Sequence, residues 1–429
     1  MEMTIGAIFI SLAIFLGLSI PIGIAIGLSV LVGMFIGEQQ MQSAFLMQKM
    51  ISSLDLFPLM AVPFFILAGE IMQKGEMAQR LLAVSRCLVG HITGGMAHIS
   101  ILTCMFYGAL SGSSPATVAA VGGVMIPSME KEGYDKPFST AVNTAAGCLG
   151  VMIPPSVPLI IYGTVAGVSV GDLFMAGVIP GVFVGLCLML TSYIIAKRKG
   201  YAAGNRASLK ELFHSLNEAK YALFVPVIVL GGIYGGLTTP TEAGVIAVIY
   251  ALLAEGLIHK SLNWDKGYEI IRGTVLTNSS IFLVVATATA FGQILMFYNV
   301  PDLMVSTLTE FSTNKYVFIT IIIVLLLIMG TFMDALANIL ILTPLLLPVV
   351  QKFDFNLVHF GIIMIVTVSI GFLTPPVGVN LFVGCGISKL RIETLSYAVL
   401  PFVFAMSMAA LLLAFIPQIS LWLPTLMTK

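Results

Sequence analysis

The chain has 429 residues, of which 58% are hydrophobic and only 9% are charged. Soluble domains carry about 25% charged residues, so this composition excludes an ordinary soluble protein and indicates a chain that lies in lipid. Twenty basic residues balance twenty acidic ones without a long basic cluster, and this balance argues against a nucleic-acid partner.

Apolar runs near the length of a membrane-spanning helix, about 20 residues, recur along the whole chain. Because open sheets cannot satisfy their backbone hydrogen bonds in lipid, we predict an all-α polytopic membrane protein. The apolar N-terminal run lacks the basic region of a signal peptide, so we expect it to form the first membrane helix. The five cysteines and five histidines are dispersed without metal-ligand spacing and predict no metal site of their own.

The first half, residues 1–200, is predicted to contain three helices, then a helical hairpin and then a broken helix. Two short helices turn at the string GLSIPIG, and a third helix follows. A small, polar segment around Ser113 then predicts the tip of a helical hairpin over about 96–127. The pair Pro154 and Pro155 lies in an apolar run and predicts a broken helix over about 138–168, because proline removes a helix hydrogen bond.

A polar linker, predicted to be cytoplasmic, covers 201–220 and leads to a second half that repeats the first. The string GFLTPPVGVNLFVG at 371–384 aligns with GVMIPPSVPLIIYG at 150–163 at a constant offset of 221 residues. The second half, 221–429, is therefore predicted to repeat both special elements. They are a hairpin over about 316–348 and a broken helix over about 358–388.

A weaker match extends the repeat toward the N-terminal part of each half. The string AGEI at 68–71 resembles FGQI at 291–294, at a slightly different offset. Glu70 in the first string lies near a predicted membrane end, so we expect it to be interfacial.

The two hairpin tips carry matching polar residues. The offset of 221 places Asp334 opposite Ser113 and Asn338 opposite Thr117, so each tip has polar residues at i and i+4 on one helix face. A carboxylate between apolar arms is costly in a bilayer, which makes Asp334 a functional candidate. The alternative is a structural, hydrogen-bonded cap at the tip.

Lysine and arginine test the orientation of the halves, because cytoplasmic loops carry an excess of both. If the hairpins are re-entrant, each half crosses the membrane five times and the second half is inverted. Of the twenty basic residues, sixteen then face the side of the linker, and four face the other side. Those four are Lys49, Lys315, Lys352 and Lys429. If each opening run is instead one long helix, the repeats are parallel and the division weakens to fourteen and six.

Inverted repeats that carry broken helices are typical of secondary transporters. Unwound backbone leaves carbonyl groups for a cation, and the helix start that follows offers N–H groups to an anion. No Walker loop, G-x-S-x-G string or metalloprotease motif is present. Two alternatives stay open at this point. One is a self-sufficient ion-coupled carrier or antiporter, and the other is an intramembrane enzyme that uses Ser111 and Asp334 but lacks a convincing base.

Several long strings, among them GALSGSSPATVAAVGGVMIP, VMIPPSVPLIIYG and GFLTPPVGVNLFVG, resemble the large membrane (M) subunit of a tripartite ATP-independent periplasmic (TRAP) transporter. The resemblance covers essentially the whole chain. It implies a multi-pass protein of the bacterial inner membrane, with both termini in the periplasm, that is not an enzyme. It also implies sodium-coupled symport of organic anions, carboxylates and C4-dicarboxylate-like molecules among them, by an elevator-type fold with two re-entrant hairpins.

The resemblance further implies partners and sites. The expected partners are a small membrane (Q) subunit, a periplasmic substrate-binding (P) protein, the organic anion and membrane lipid. No cofactor is expected apart from the coupling sodium ions. The residues carried over for sodium are Gly108, Ser111, Gly150, Ile153, Pro155, Gly330, Gly371, Thr374 and Val377. Those proposed for the substrate between the tips are Ser113, Ser114, Thr117, Asp334, Asn338 and Asn380.

Overall fold

The computed structural model describes residues 2–37, 43–311 and 314–427, and these residues form helices joined by short connections. The first half contains α1 Glu2–Gly17, α2 Ile22–Ile36, α3 Ser43–Leu54, α4 Ala61–Lys74, α5 Met77–Val89, α6 Gly95–Ser111, α7 Ser114–Lys131, α8 Lys136–Ala146, α9 Leu149–Met152, α10 Val157–Ala166 and α11 Val170–Lys199. The second half contains α12 Leu209–Tyr234, α13 Pro240–Leu252, α14 Trp264–Phe297, α15 Val300–Phe311, α16 Lys315–Phe332, α17 Ala335–Lys352, α18 Leu357–Gly371, α19 Val379–Ser388, α20 Ile392–Phe415 and α21 Gln418–Met427.

The opening run of each half is a pair of helices rather than one long helix. Pro21 lies just before α2, and a Cβ on Gly33 of α2 would collide with the side chain of Ile8 on α1, so α1 and α2 pack closely as a hairpin. In the second half, Thr239 caps α13 and forms a reciprocal capping box with Glu242. These two pairs favour five crossings in each half over the parallel alternative. Lys429, one of the four basic residues of the less basic side, lies outside the described residues.

The repeat is visible element by element. The helix α7 begins at Ser114 and α17 at Ala335, an offset of 221 residues. The elements α6 and α16, α8–α9 and α18, α10 and α19, and α11 and α20 correspond in the same order at offsets of 220 to 222. Each half therefore contributes one helical hairpin and one helix interrupted near its middle, as the proline pairs predict.

The two halves differ where one contains an extra proline. In the first half, α3 and α4 are separated by a short 3₁₀ segment, Phe57–Met60, which includes Pro58. The corresponding part of the second half has no proline and forms the single 34-residue helix α14. The predicted linker is also partly helical, because Ser208 caps α12 in a capping box with Glu211 and residues 209–220 lie inside that helix.

The helices form two groups that meet along α4 and α14. The scaffold group, α1–α4 with α12–α14, packs α14 against α2, α3 and α4 and packs α13 against α4. In the hairpin group, α6–α11 with α16–α21, each hairpin packs against the first part of the broken helix of its own half. The second parts, α10 and α19, pack against α17 and α7, which belong to the hairpin of the other half. The helix α5 connects the groups and lies on α12. Among the described residues, eight helices are long and apolar enough to cross a membrane, or nine if the bent pair formed by α8–α9 and α10 counts as one span.

Candidate substrate and ion site

The first hairpin tip is built by a glycine and two serines. The helix α6 ends at Ser111, Gly112 adopts a left-handed conformation with φ of 59°, and α7 begins at Ser114. A side chain is strained at such a φ, and here it would also press on the backbone of the first break. The hydroxyl of Thr117 donates to the Ser113 carbonyl at 2.7 Å and lies 2.9 Å from the Ser111 hydroxyl, so it stiffens the tip from within.

The second tip uses a carboxylate and an amide for the same purpose. Asp334 is the N-cap of α17, and its Oδ1 accepts from the Ala337 amide at 3.0 Å. The Asn338 Nδ2 donates to the carbonyls of Met333 and Asp334 at 3.1 and 2.9 Å. The Asn338 Oδ1 is buried and accepts no hydrogen bond within the described part of the chain. Asp334 is thus a cap, as the alternative interpretation predicts, and it also faces the cavity described below.

The first break lies between Met152 and Val157, and the helices on its two sides are bent by 42°. Neither backbone amides nor side chains of the described residues donate to the carbonyls of residues 153–155. Gly150 lies against the tip, because a Cβ there would come 2.6 Å from the Ser113 carbonyl oxygen. A Cβ on Gly108 would come 2.9 Å from the Gly150 Cα. The two glycines let the hairpin and the broken helix come into close backbone contact, with the Thr117 hydroxyl also against Gly150.

The second break repeats this arrangement. It lies between Gly371 and Val379, and Gly378 adopts a φ of 48°. The Val377 amide donates to the Thr331 carbonyl of the tip at 3.0 Å, and Gly330 and Gly371 are in backbone contact. The carbonyls of residues 373–377 accept no hydrogen bond from the described residues. The first break is mostly buried, whereas residues 375–377 of the second are exposed.

One polar chain connects the two halves of the hairpin group. The Asn380 Nδ2 donates to the Ser114 hydroxyl at 2.7 Å and to the Thr144 carbonyl at 3.2 Å. The Cys148 thiol donates to the carbonyl of Ser369, its own partner under the 221-residue offset, at 3.2 Å. Both contacts are buried, so they fix the two halves relative to each other.

A cavity of about 480 Å³ separates the two tips from the scaffold group. One wall contains the tips, with Ser113 and Asp334, together with the apolar edges of the two breaks. The other wall contains Glu70 and Gln73 of α4 with residues 277–281 of α14. Such a volume suits a small organic molecule. Serine hydroxyls, N–H groups at two helix starts and carboxylates are available to bind it.

The predicted residues take different positions around this cavity. Of the residues predicted for sodium, three meet at the first tip: Gly108, Ser111 and Gly150. Three others meet at the second tip: Gly330, Gly371 and Val377. The Thr374 hydroxyl donates to the Gly371 carbonyl at 3.0 Å. Pro155 lies beside Gly112, and the Ile153 side chain faces α11. Of the substrate set, Ser113, Ser114 and Asp334 line the cavity, whereas Thr117, Asn338 and Asn380 are fully buried behind it and support the tips.

The scaffold wall contains polar residues that the sequence analysis did not assign to the site. Glu70, expected to be interfacial, faces the cavity instead, beside Gln73, and Thr277 and Ser280 face it from α14. The match between AGEI and FGQI is the one sequence signal for this wall. It marks α4 and the end of α14 as equivalent, but it does not reveal that α4 faces the tips.

Outside the spans, a polar cluster ties the start of α8 to the end of α11. Asp135 caps α8 through the Phe138 amide and pairs with Lys199 at 2.6 Å and with the Tyr201 hydroxyl. Burial acts to raise the pKa of Asp135, but these hydrogen bonds outweigh it and hold that pKa below its usual value.

A duplicated, all-helical membrane fold in which two hairpin tips meet two broken helices around a cavity defines the permease component of a secondary transporter. A family model described as "Tripartite ATP-independent periplasmic transporter, DctM component" matches residues 9–419. The chain therefore belongs to the DctM family of TRAP transporter large membrane subunits, and it is a transporter component rather than an enzyme. The predicted family and fold class are confirmed.

Two relatives and one solved structure place the chain more closely. It is 47% identical over 372 residues to the "Isethionate TRAP transporter permease protein DctMQ" of Oleidesulfovibrio alaskensis, an alignment that covers 86% of this chain and 59% of that protein. It is 37% identical over 376 residues to the "C4-dicarboxylate TRAP transporter large permease protein DctM" of Pseudomonas aeruginosa, with 88% of each chain covered.

The solved structure is the YdaH transporter of Alcanivorax borkumensis, which is described as having an unusual topology. It matches with a TM-score of 0.66 at 16% identity and covers 89% of this chain and 90% of that one. At this identity the match speaks for the fold alone.

Proposed function

We propose that this chain is the large membrane subunit of a sodium-coupled importer of small organic anions in the bacterial inner membrane. The observation that carries the proposal is the pair of equivalent breaks, each of which lies beside a glycine contact to a hairpin tip. Each break also has a run of carbonyls that accept no hydrogen bond from the described residues. Oxygen ligands suit hard cations, and we assign sodium as the cation at these breaks.

Sodium at each break would be held by main-chain oxygens of the break and the adjoining tip. The first site would use the region of Gly108, Ser111, Gly150, Ile153 and Pro155, and the second that of Gly330, Gly371, Thr374 and Val377. Bound sodium would draw each tip onto its break and order Ser113, Ser114 and Asp334 for the anion. A substrate that binds the sodium-filled form more tightly also makes sodium bind more tightly. The binding of sodium and the binding of the substrate are therefore coupled.

The anion would bind at the starts of α7 and α17, where free N–H groups and the positive ends of the helix dipoles point into the cavity. Asp334 would repel a carboxylate or sulfonate directly, so we assign it to a hydroxyl or ammonium group of the substrate or to a cation. The hairpin group would then move as a rigid body along α4 and α14. Such sliding is favoured because the edges of the breaks are apolar and the scaffold wall of the cavity has few polar residues.

The proposed partners follow from the family and its relatives. A small membrane subunit and a periplasmic binding protein are expected because the family belongs to a tripartite system. The relative named DctMQ is longer than this chain, which spans 59% of it. The scaffold helix α12 has exposed apolar side chains, including Phe224 and Val227, as expected for a helix that meets lipid or another membrane subunit. The N- and C-termini are proposed to be periplasmic on the distribution of lysine and arginine.

The test is uptake by proteoliposomes that contain this chain, the small subunit and the cognate binding protein. The probes are isethionate, succinate as a C4-dicarboxylate, and any anion that copurifies with the binding protein. We expect uptake only with an inward sodium gradient and with all three proteins present. Uptake that is unchanged when choline replaces sodium contradicts the sodium coupling. Uptake by this chain alone identifies a self-sufficient carrier instead.

A further inference from the structure

Two cavities lie along the contact between the scaffold group and the hairpin group. The one between the tips is lined by α4 and by the first part of α14. A second cavity, of about 460 Å³, is lined by residues 285–296 of α14 together with parts of α3, α10 and α17. Under the repeat, α4 corresponds to the final part of α14. The scaffold walls of the two cavities therefore occupy equivalent positions in the repeat, whereas the opposite wall is formed by the tips in the first cavity and by α10 and α17 in the second.

The scaffold residues at the equivalent positions differ in charge. Glu70 lines the first cavity, and its partner in the FGQI string, Gln293, lines the second. The first cavity also adjoins the more basic end of the molecule, because Lys74 lies one turn beyond Glu70 on α4. By the distribution of lysine and arginine, this is the cytoplasmic end.

Glu70 forms no ion pair or hydrogen bond within the described part of the chain, although Lys74 is close enough to attract its carboxylate. Its carboxylate lies against the backbone of α14, where a Cβ on Gly273 would come 3.2 Å from Oε2. The nearest cation along α4, Lys74, pairs with Glu269 at 2.7 Å instead. None of the described residues that line this cavity is lysine, arginine or histidine. The charge of Glu70 is therefore only partly offset and can act on an anion in the cavity that this residue lines.

We infer that Glu70 weakens the binding of the anionic substrate from the cytoplasmic side and so speeds its release, while Gln293 leaves periplasmic loading unopposed. This inference rests on the proposed function, since it needs an anion in the cavity. Glu70 contacts neither sodium site, and it acts on the anion only when the hairpin group is in the position seen here. It is a residue that sets the difference in affinity between the two sides.

The size of the effect follows from the cavity. A cavity of about 480 Å³ is about 10 Å across. At that separation and an effective dielectric constant of about 20, repulsion between two unit negative charges weakens the affinity for the anion about 15-fold. Screening over one Debye length reduces this factor to about 3-fold. Replacing Glu70 with glutamine should therefore lower the half-saturating internal anion concentration by about 3- to 15-fold.

The experiment uses the complete three-protein system in proteoliposomes and measures anion exchange from each side. The probe is labelled isethionate or succinate, whichever the wild type exchanges, and the internal and external concentrations are varied separately. Glu70→Gln should lower the internal half-saturation value and slow the release of the anion. Glu70→Asp keeps the negative charge and should therefore keep the wild-type value. Gln293→Glu should raise the external half-saturation value by a similar factor. Glu310→Gln, which removes an exposed carboxylate on α15, is the matched control and should change neither value.

Two further readouts separate a charge effect from a structural one. The final accumulation ratio is set by the ion gradients, so Glu70→Gln should leave it unchanged while rates change. Higher salt should shrink the difference between wild type and Glu70→Gln. An unchanged internal half-saturation value, in a variant that still exchanges the anion, overturns the inference and leaves the proposed function standing. A change confined to the external value overturns it too. A wild type that moves no organic anion contradicts the proposed function itself.

Discussion

Replacing Gly150 with alanine tests the contact between the first tip and the first break. The added Cβ would lie 2.3 Å from the Thr117 hydroxyl oxygen and 2.6 Å from the Ser113 carbonyl oxygen, whereas ordinary contacts begin at 3.4 Å, so the tip must move by about 1 Å. Overpacking of this kind costs about 1–3 kcal/mol. Under the proposed function, sodium draws the tip onto the break, so this cost opposes the binding of sodium. Each 1.4 kcal/mol is tenfold, so half-saturating sodium should increase roughly 5- to 150-fold.

The assay measures uptake against sodium concentration, with choline keeping the ionic strength constant. Gly123→Ala is the matched control, because it adds the same methyl group to α7 and meets no atom within 4 Å. Size-exclusion chromatography and thermal unfolding check that both variants are folded. A Gly150→Ala protein that is folded and has the sodium curve of the control refutes the assignment of sodium to this break.

Three further predictions concern single side chains. Asp334→Ala should reduce sodium-dependent uptake at least tenfold without preventing membrane insertion, because it removes both the cap of α17 and a carboxylate from the cavity; normal uptake would exclude Asp334 from the site. Thr374→Ala should raise half-saturating sodium by only a few-fold, since main-chain oxygens remain, and an unchanged curve would count against the second site. Asp135→Asn should lower thermal stability by about 1 kcal/mol at neutral pH, because the partly exposed pair with Lys199 is lost. Because the folded state lowers the pKa of Asp135, this difference should be complete above about pH 5 and shrink as the pH falls below about 4. A difference that grows toward acid pH would contradict it.

The elements that depend on local chemistry could be predicted from the sequence. Proline pairs and glycines break helices wherever they stand, so the positions of both breaks and both tips follow from short strings and from the 221-residue offset. The single helix α14 also has a local cause, since it lacks the equivalent of Pro58. The sequence predicts a single third helix in each half, as α14 is, and it does not predict the division of the first-half equivalent into α3 and α4 at Pro58.

The allocation of side chains around the cavity could not be predicted in the same way. Spacing at i and i+4 correctly puts Ser113 and Thr117 on one turn, but it does not tell whether a hydroxyl faces the cavity or caps its own tip. Glu70 faces the cavity only because α4 packs against α14 and the first tip together, which is a contact between segments far apart in the chain. Such contacts leave no periodic signal within either segment.

The most direct test of the central claim is a pair of high-resolution maps of the complex, one in sodium and one in potassium. We expect a density peak at each break in sodium, within coordination distance of main-chain oxygens near Gly150 and Gly371, and the loss of both peaks in potassium. Sodium-driven uptake accompanied by maps that show no ion at either break, or an ion held elsewhere, would contradict it.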